Sequence, residues 1–111
     1  MPFDNFITWP FKKFNEAAQQ YQTALSLNPK NVAAHYALGL TYLAQKRGKE
    51  AIGPLEQAVS LDANNAPAHY SLALAKLETG DRKGAQDQVE LLKKLNSPFA
   101  GELGKKISEG N

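Results

Sequence analysis

The stretch AHYALGLTYL at residues 34–43 returns as AHYSLALAKL at residues 68–77, an offset of 34. Carried outward, the offset relates residues 32–65 to residues 66–99. The two units are identical at ten positions: Ala34/Ala68, His35/His69, Tyr36/Tyr70, Leu38/Leu72, Leu40/Leu74, Leu43/Leu77, Lys49/Lys83, Ala51/Ala85, Glu56/Glu90 and Leu61/Leu95. Upstream, AAQQYQTALSLNPKN at 17–31 aligns at the same offset with AIGPLEQAVSLDANN at 51–65. The chain therefore holds two whole units and the second half of an earlier one. A period of this length is the mark of an array in which each unit packs mainly on its neighbours.

Each unit reads as two helices. The first begins after Asn31 or Asn65, residues suited to accept from the free N–H groups of a helix start. It ends before a glycine-containing turn, KRGK at 46–49 or TGDR at 79–82, with Gly80 placed as a stop and Asp81 as the next cap. The second helices carry one apolar stripe each: Ala51, Leu55, Ala58 and Leu61 in the middle unit, Ala85, Val89, Leu92 and Leu95 in the last. Residues 16–27 repeat the pattern through Ala17, Tyr21, Ala24 and Leu25. Pro54 is read near the start of its helix, where few backbone bonds are lost. Ser97-Pro98 opens a final short helix over 98–108 with Phe99, Leu103 and Ile107 as its buried edge.

With paired helices at this period, the chain resembles the tetratricopeptide-repeat (TPR) family. Leu38-Gly39, Tyr42, Ala51, Leu55 and Ala58 stand where that family places Leu-Gly, an aromatic, Ala, a bulky apolar residue and Ala, and Pro29 closes the first half-unit. The match covers roughly residues 14–96. It departs at His35 and His69, where Trp is common, at Ala73 for the small Gly, at Lys76 for the aromatic and at Leu92 for the second Ala. The resemblance implies an all-α, TPR-like α-solenoid of antiparallel helix pairs. The expected division of the single domain 1–111 is an aromatic segment 1–9, a half-repeat 10–31, full repeats 32–65 and 66–99, and the C-terminal capping helix.

Composition excludes several functions. Net charge is only +2, and residues 1–31, 32–65 and 66–111 carry +1, 0 and +1, so no face is basic enough for a nucleic acid partner. There is no cysteine, hence no disulfide or thiolate chemistry. No apolar run is long enough for a membrane span, and no secretory signal opens the chain, which makes cytoplasmic the default location. Motifs for phosphate binding, zinc hydrolysis or a serine nucleophile are missing. Neither an enzyme nor a cofactor is expected. His35 and His69 could be read as a metal pair, but nothing completes a ligand set, and packing at a repeat position explains them more simply.

The informative asymmetry lies between first and second helices. HYALGLTYLA at 35–44 carries no charge and is apolar almost all round. Helical spacing separates His35, Leu38, Gly39 and Tyr42 from a second stripe, Tyr36, Leu40 and Leu43, repeated as Tyr70, Leu74 and Leu77. One stripe packs on the partner helix. By the resemblance, the other faces a concave groove and would bind a helix or peptide with apolar side chains. Some members of the family grip a C-terminal carboxylate with Lys, Arg and Asn on first helices. Here Tyr36, Ala37, Leu40, Tyr70, Ser71 and Leu74 hold those inner positions, so that role is not expected.

The opening MPFDNFITWPFKKF holds Phe3, Phe6, Trp9, Phe11 and Phe14. In register it should form the missing first helix, but Asp4 and Asn5 fall on the Leu and Gly positions and Trp9-Pro10 on the last turn. The expectation is an irregular segment, with a helix from about residue 10 to 27. The aromatics could cap the array, enter the groove of a second copy and make a homo-oligomer, or meet an outside partner or membrane surface. A piece of a longer array cut within a repeat would read the same way.

Overall fold

The computed structural model describes residues 2–109, and side chains from Lys12 onward. Its described residues form six helices and no strand: α1 (Pro2–Leu27), α2 (Val32–Ala44), α3 (Gly48–Leu61), α4 (Ala66–Glu78), α5 (Arg82–Lys94) and α6 (Phe99–Glu109). Each helix packs on the next. Alternate helices α2–α4 and α4–α6 also touch, so the first helices of successive units make a second layer. This is the helical solenoid that the repeat implies.

Caps set the helix starts. Ala34 N donates to Asn31 Oδ1 and Ala68 N to Asn65 Oδ1, both at 3.1 Å, and Gly84 N donates to Asp81 Oδ1 at 2.8 Å. Phe99 N donates to Ser97 Oγ at 3.2 Å to begin α6. Helix α4 ends at the C-cap Thr79, and Gly80 follows with φ +88. In the preceding unit the equivalent residue is Lys46, at φ +60. Gly48 is not a stop. It opens α3, with its N–H on Glu78 Oε1 at 3.0 Å and a Cβ there only 2.7 Å from Glu78 Cβ.

The second helices bury the expected stripe. Ala51, Leu55 and Ala58 are 0% exposed, and Ala85, Val89 and Leu92 are 0–2% exposed. Leu61, the last residue of α3, departs from the expectation at 39%. Pro54 also departs from it. Since α3 starts at Gly48, the proline lies inside the helix and removes a backbone bond there.

The N-terminal helix is the main correction. It does not begin near residue 10 but runs unbroken from Pro2, with Pro10 in its interior. The reason is visible in the spacing of Phe3, Phe6/Ile7, Pro10/Phe11, Phe14, Ala17/Ala18, Tyr21 and Ala24/Leu25, which keeps a helical period across the proline. Interior proline costs about 3 kcal/mol, and the helical turns on either side offset it. The expectation that the five aromatics cap the array or enter a groove falls, for Phe3, Phe6, Trp9 and Phe11, outside the described side chains. Phe14 is half-buried.

Candidate functional site

The site is built on the first helices. Gly39 and Leu55 hold α2 and α3 together, since a Cβ on Gly39 would lie 2.6 Å from Leu55 Cδ2. With Leu38 buried on that side, α2 turns Leu40, at 39% exposure, away from the core. Tyr36 and Leu43 flank it. Both are half-buried against the cluster of Ala51, Leu55, Leu72 and Ala75.

On α4 the equivalent residues are less free. Tyr70, Leu74 and Leu77 are half-buried against a cluster of α4, α5 and α6 residues that includes Leu92 and Leu103. The ring of Tyr70 lies 5.0 Å from that of Phe99, tilted by 36°, and its hydroxyl donates to Glu102 Oε1 at 3.1 Å. Burial, and then the carboxylate of Glu102, push the Tyr70 phenol above its ordinary value. The six residues assigned from the sequence thus lie on two touching helices, and none is fully enclosed. Phe99, expected only as part of the buried edge of the last helix, and Glu102 join this surface; neither was assigned to the site, because the repeat that marks the α2 and α4 stripes does not extend through α6.

The two histidines have repeat-equivalent structural partners. His35 Nε2 meets Pro29 O at 2.7 Å, and His69 Nε2 meets Ala63 O at 2.8 Å, so each ring ties its helix to the turn before it. A carbonyl only accepts, so Nε2 carries a proton. His69 Nδ1 lies 2.7 Å from Gln88 Oε1, so the second ring nitrogen ties α4 to α5. Among the described residues no group of three His, Cys, Asp or Glu side chains is placed to hold a metal ion. None of the described helices is long and apolar enough to cross a membrane.

Comparison with known proteins agrees with this helical architecture. The TPR repeat family matches residues 12–46, and the tetratricopeptide repeat family matches residues 32–65. Residues 12–65 thus carry tetratricopeptide repeats. Among solved structures, this TPR chain is similar to the first TPR of Spaghetti (RPAP3) bound to the HSP90 peptide SRMEEVD. The identity is 20%, the TM-score 0.80, and 96% of this chain and 86% of that one are covered. It is also similar to PcrH in complex with the chaperone binding region of PopD, at 18% identity and TM-score 0.78, covering 96% and 84%. The Yersinia enterocolitica type III secretion chaperone SycD, in complex with a peptide of the translocator YopD, matches at 20% identity and TM-score 0.74, covering 95% and 82%. At these identities the likeness establishes the TPR fold. No curated protein is significantly similar in sequence.

Proposed function

We propose that this TPR domain is a non-catalytic interaction module that binds a helix or peptide with apolar side chains across α2 and α4. The carrying observation is Leu40, exposed between half-buried Tyr36 and Leu43 and beside the Tyr70, Leu74 and Leu77 stripe of the touching helix. An uncharged strip of Tyr and Leu offers desolvation and ring contact, the chemistry of hot spots. Peptide binding by TPR domains of the same fold supports the class of partner.

The residues also favour one kind of peptide. Tyr36, Ala37, Leu40, Tyr70, Ser71 and Leu74 supply no cation for a terminal carboxylate, and the charged group at this surface is the acidic Glu102. Anchoring by buried apolar side chains follows. Ligands selected from a display library of helical and extended peptides should therefore be rich in bulky apolar residues. Leu40→Glu should weaken the selected peptide about tenfold or more, since one removed anchor exceeds 1.4 kcal/mol, while far-UV circular dichroism stays the same. The peptide SRMEEVD should not bind appreciably. Equal affinity of the Leu40→Glu protein, or tight binding of SRMEEVD, would reject this reading.

A further inference from the structure

Where α6 meets the second stripe, two rings and a carboxylate form a corner. The rings of Tyr70 on α4 and Phe99 on α6 stand 5.0 Å apart, tilted by 36°, and the Tyr70 hydroxyl donates to Glu102 Oε1 at 3.1 Å. Tyr70 and Phe99 are half-buried and Glu102 is exposed, so the corner is built without being closed. Its side chains come from two helices that pack together, which fixes the rings and the carboxylate relative to one another.

The fold accounts for part of this. Phe99 covers the Tyr70 ring, and an acidic residue suits the first turn of a helix. Neither need pairs the charge. Among the described residues the ion pairs are Arg47–Glu50, Lys76–Glu56 and Lys93–Glu90, and Glu102 is in none of them, although Lys105 and Lys106 follow on the same helix. The first helices send no cation either. Helix α2 has no Lys, Arg, Asp or Glu, and on α4 Lys76 Nζ lies 4.0 Å from Glu56 Oε2 of α3. Arg47, after α2, lies over the Tyr42 ring at 4.8 Å.

Two independent features of the corner favour the same kind of group. Aromatic faces attract cations through their negative quadrupole. The carboxylate accepts through Oε1 from Tyr70 and has Oε2 left for a charged donor. Burial, and then Glu102, push the Tyr70 phenol up, so it keeps its proton and stays a donor to Glu102. With that proton engaged, the polar atoms left at the corner, Glu102 Oε2 and Tyr70 Oη, are both acceptors. A guanidinium has a fork of donors and a flat face that stacks on rings, and it matches both features better than an ammonium, which is a point charge.

We infer that the Tyr70, Phe99 and Glu102 corner receives an arginine side chain of a bound peptide. The peptide is then seated in the α2–α4 groove proposed above, on which this reading rests, with its apolar residues over α2 and α4 and its arginine at the α6 side. The partner is thereby narrowed to an apolar segment with a basic residue at one end, and the corner gives that segment a direction across the helices.

Panning a display library of helical and extended peptides on the full chain and on its Glu102→Gln variant tests this. Glutamine still accepts from the Tyr70 hydroxyl, so the variant removes the charge and keeps the contact with α6. Peptides selected on the unaltered chain should carry arginine beside their apolar stretch, and those selected on Glu102→Gln should not be enriched in it. One selected peptide is then synthesised with arginine, glutamine or glutamate at that position and titrated by calorimetry. Glu102→Gln should weaken the arginine form about two- to fivefold and leave the glutamine form unchanged, while Glu102→Lys should turn the preference to the glutamate form. If apolar peptides weakened by Leu40→Glu carry no arginine, or if Glu102→Gln binds the arginine form as tightly as the unaltered chain does, the corner is overturned and the groove stands. Arginine-dependent binding that ignores Leu40→Glu but is lost in Glu102→Gln keeps the corner and rejects the groove. Recovery of no apolar peptide rejects both.

Discussion

Gly39 and Ala73 occupy the same place in successive repeats, and their partners compensate. Gly39 faces Leu55, while Ala73 shares a core cluster with Val89, the repeat equivalent of Leu55. One carbon has moved across the helix pair, from the second helix to the first, at constant volume. Family resemblance registers Ala73 as a departure from glycine. Packing shows it as half of an exchange. Gly39→Ala should destabilise by about 1–3 kcal/mol, the usual cost of overpacking, even though alanine favours a helix by about 1 kcal/mol, because fully buried Leu55 has no room to retreat. Gly39→Ala combined with Leu55→Val recreates the pair of the last unit and should recover most of the loss. Chemical denaturation of the two single variants and the double variant measures the coupling, and a double variant with additive losses would show that the two positions do not exchange volume. The histidines yield to the same kind of argument. At His35 and His69 the imidazole does more than fill space, since it donates Nε2–H to the carbonyl of the preceding turn.

Among elements, the starts of α2, α4, α5 and α6 were legible because each depends on one side chain, Asn31, Asn65, Asp81 or Ser97, whose chemistry can be read without tertiary context. Helix ends were less so. Helix α2 ends before KRGK as expected, but its left-handed residue is Lys46, while Gly48 meets a need set by a distant helix, the close approach of Glu78. Nothing local in the sequence reveals Glu78 there. The start of α1 was missed for another reason. Asp4, Asn5 and Pro10 were judged against the pattern of a first helix, and that comparison hid the fact that the apolar residues around them continue the period of the second. Within the candidate site, repetition pointed to the α2 and α4 stripes, yet it was silent on α6, whose Phe99 and Glu102 cover part of the second stripe. The turn at Lys46 carries a testable cost. A non-glycine residue in the left-handed region is disfavoured by about 1–2 kcal/mol, and the equivalent Gly80 avoids it. Lys46→Gly should therefore raise the stability of the chain by up to about 1 kcal/mol, read as a higher denaturation midpoint at unchanged m-value. No gain would mean that the Lys46 side chain contributes as much as its backbone loses.

At the scale of the whole molecule, an array of this kind is stabilised by neighbour contacts, so a helix with partners on both sides opens last. Helices α3 and α4 lie in the middle of the chain of contacts. At the C-terminal end, α6 substitutes for the next repeat. Leu103 is fully buried and Ala100 and Ile107 nearly so, and Arg82 Nη2 donates to Ile107 O at 2.9 Å to tie α5 to the cap. The last repeat thus shares one cluster with α6, whereas a second cluster around Leu55 and Leu72 joins the middle repeat to the other side of α4. This division predicts an uneven response to damage. Leu103→Ala should cost about 2–5 kcal/mol locally, and native-state hydrogen exchange should show the loss in α6 and α5, less in α4, and least in α2. The Tyr70 hydroxyl and ring would lose their support on α6 in the same opening, so the proposed peptide contacts on the α4 side should weaken before those proposed at Leu40. Uniform acceleration of exchange across all helices would instead mean that the domain unfolds as one unit, and the separation into two clusters would then have no energetic counterpart.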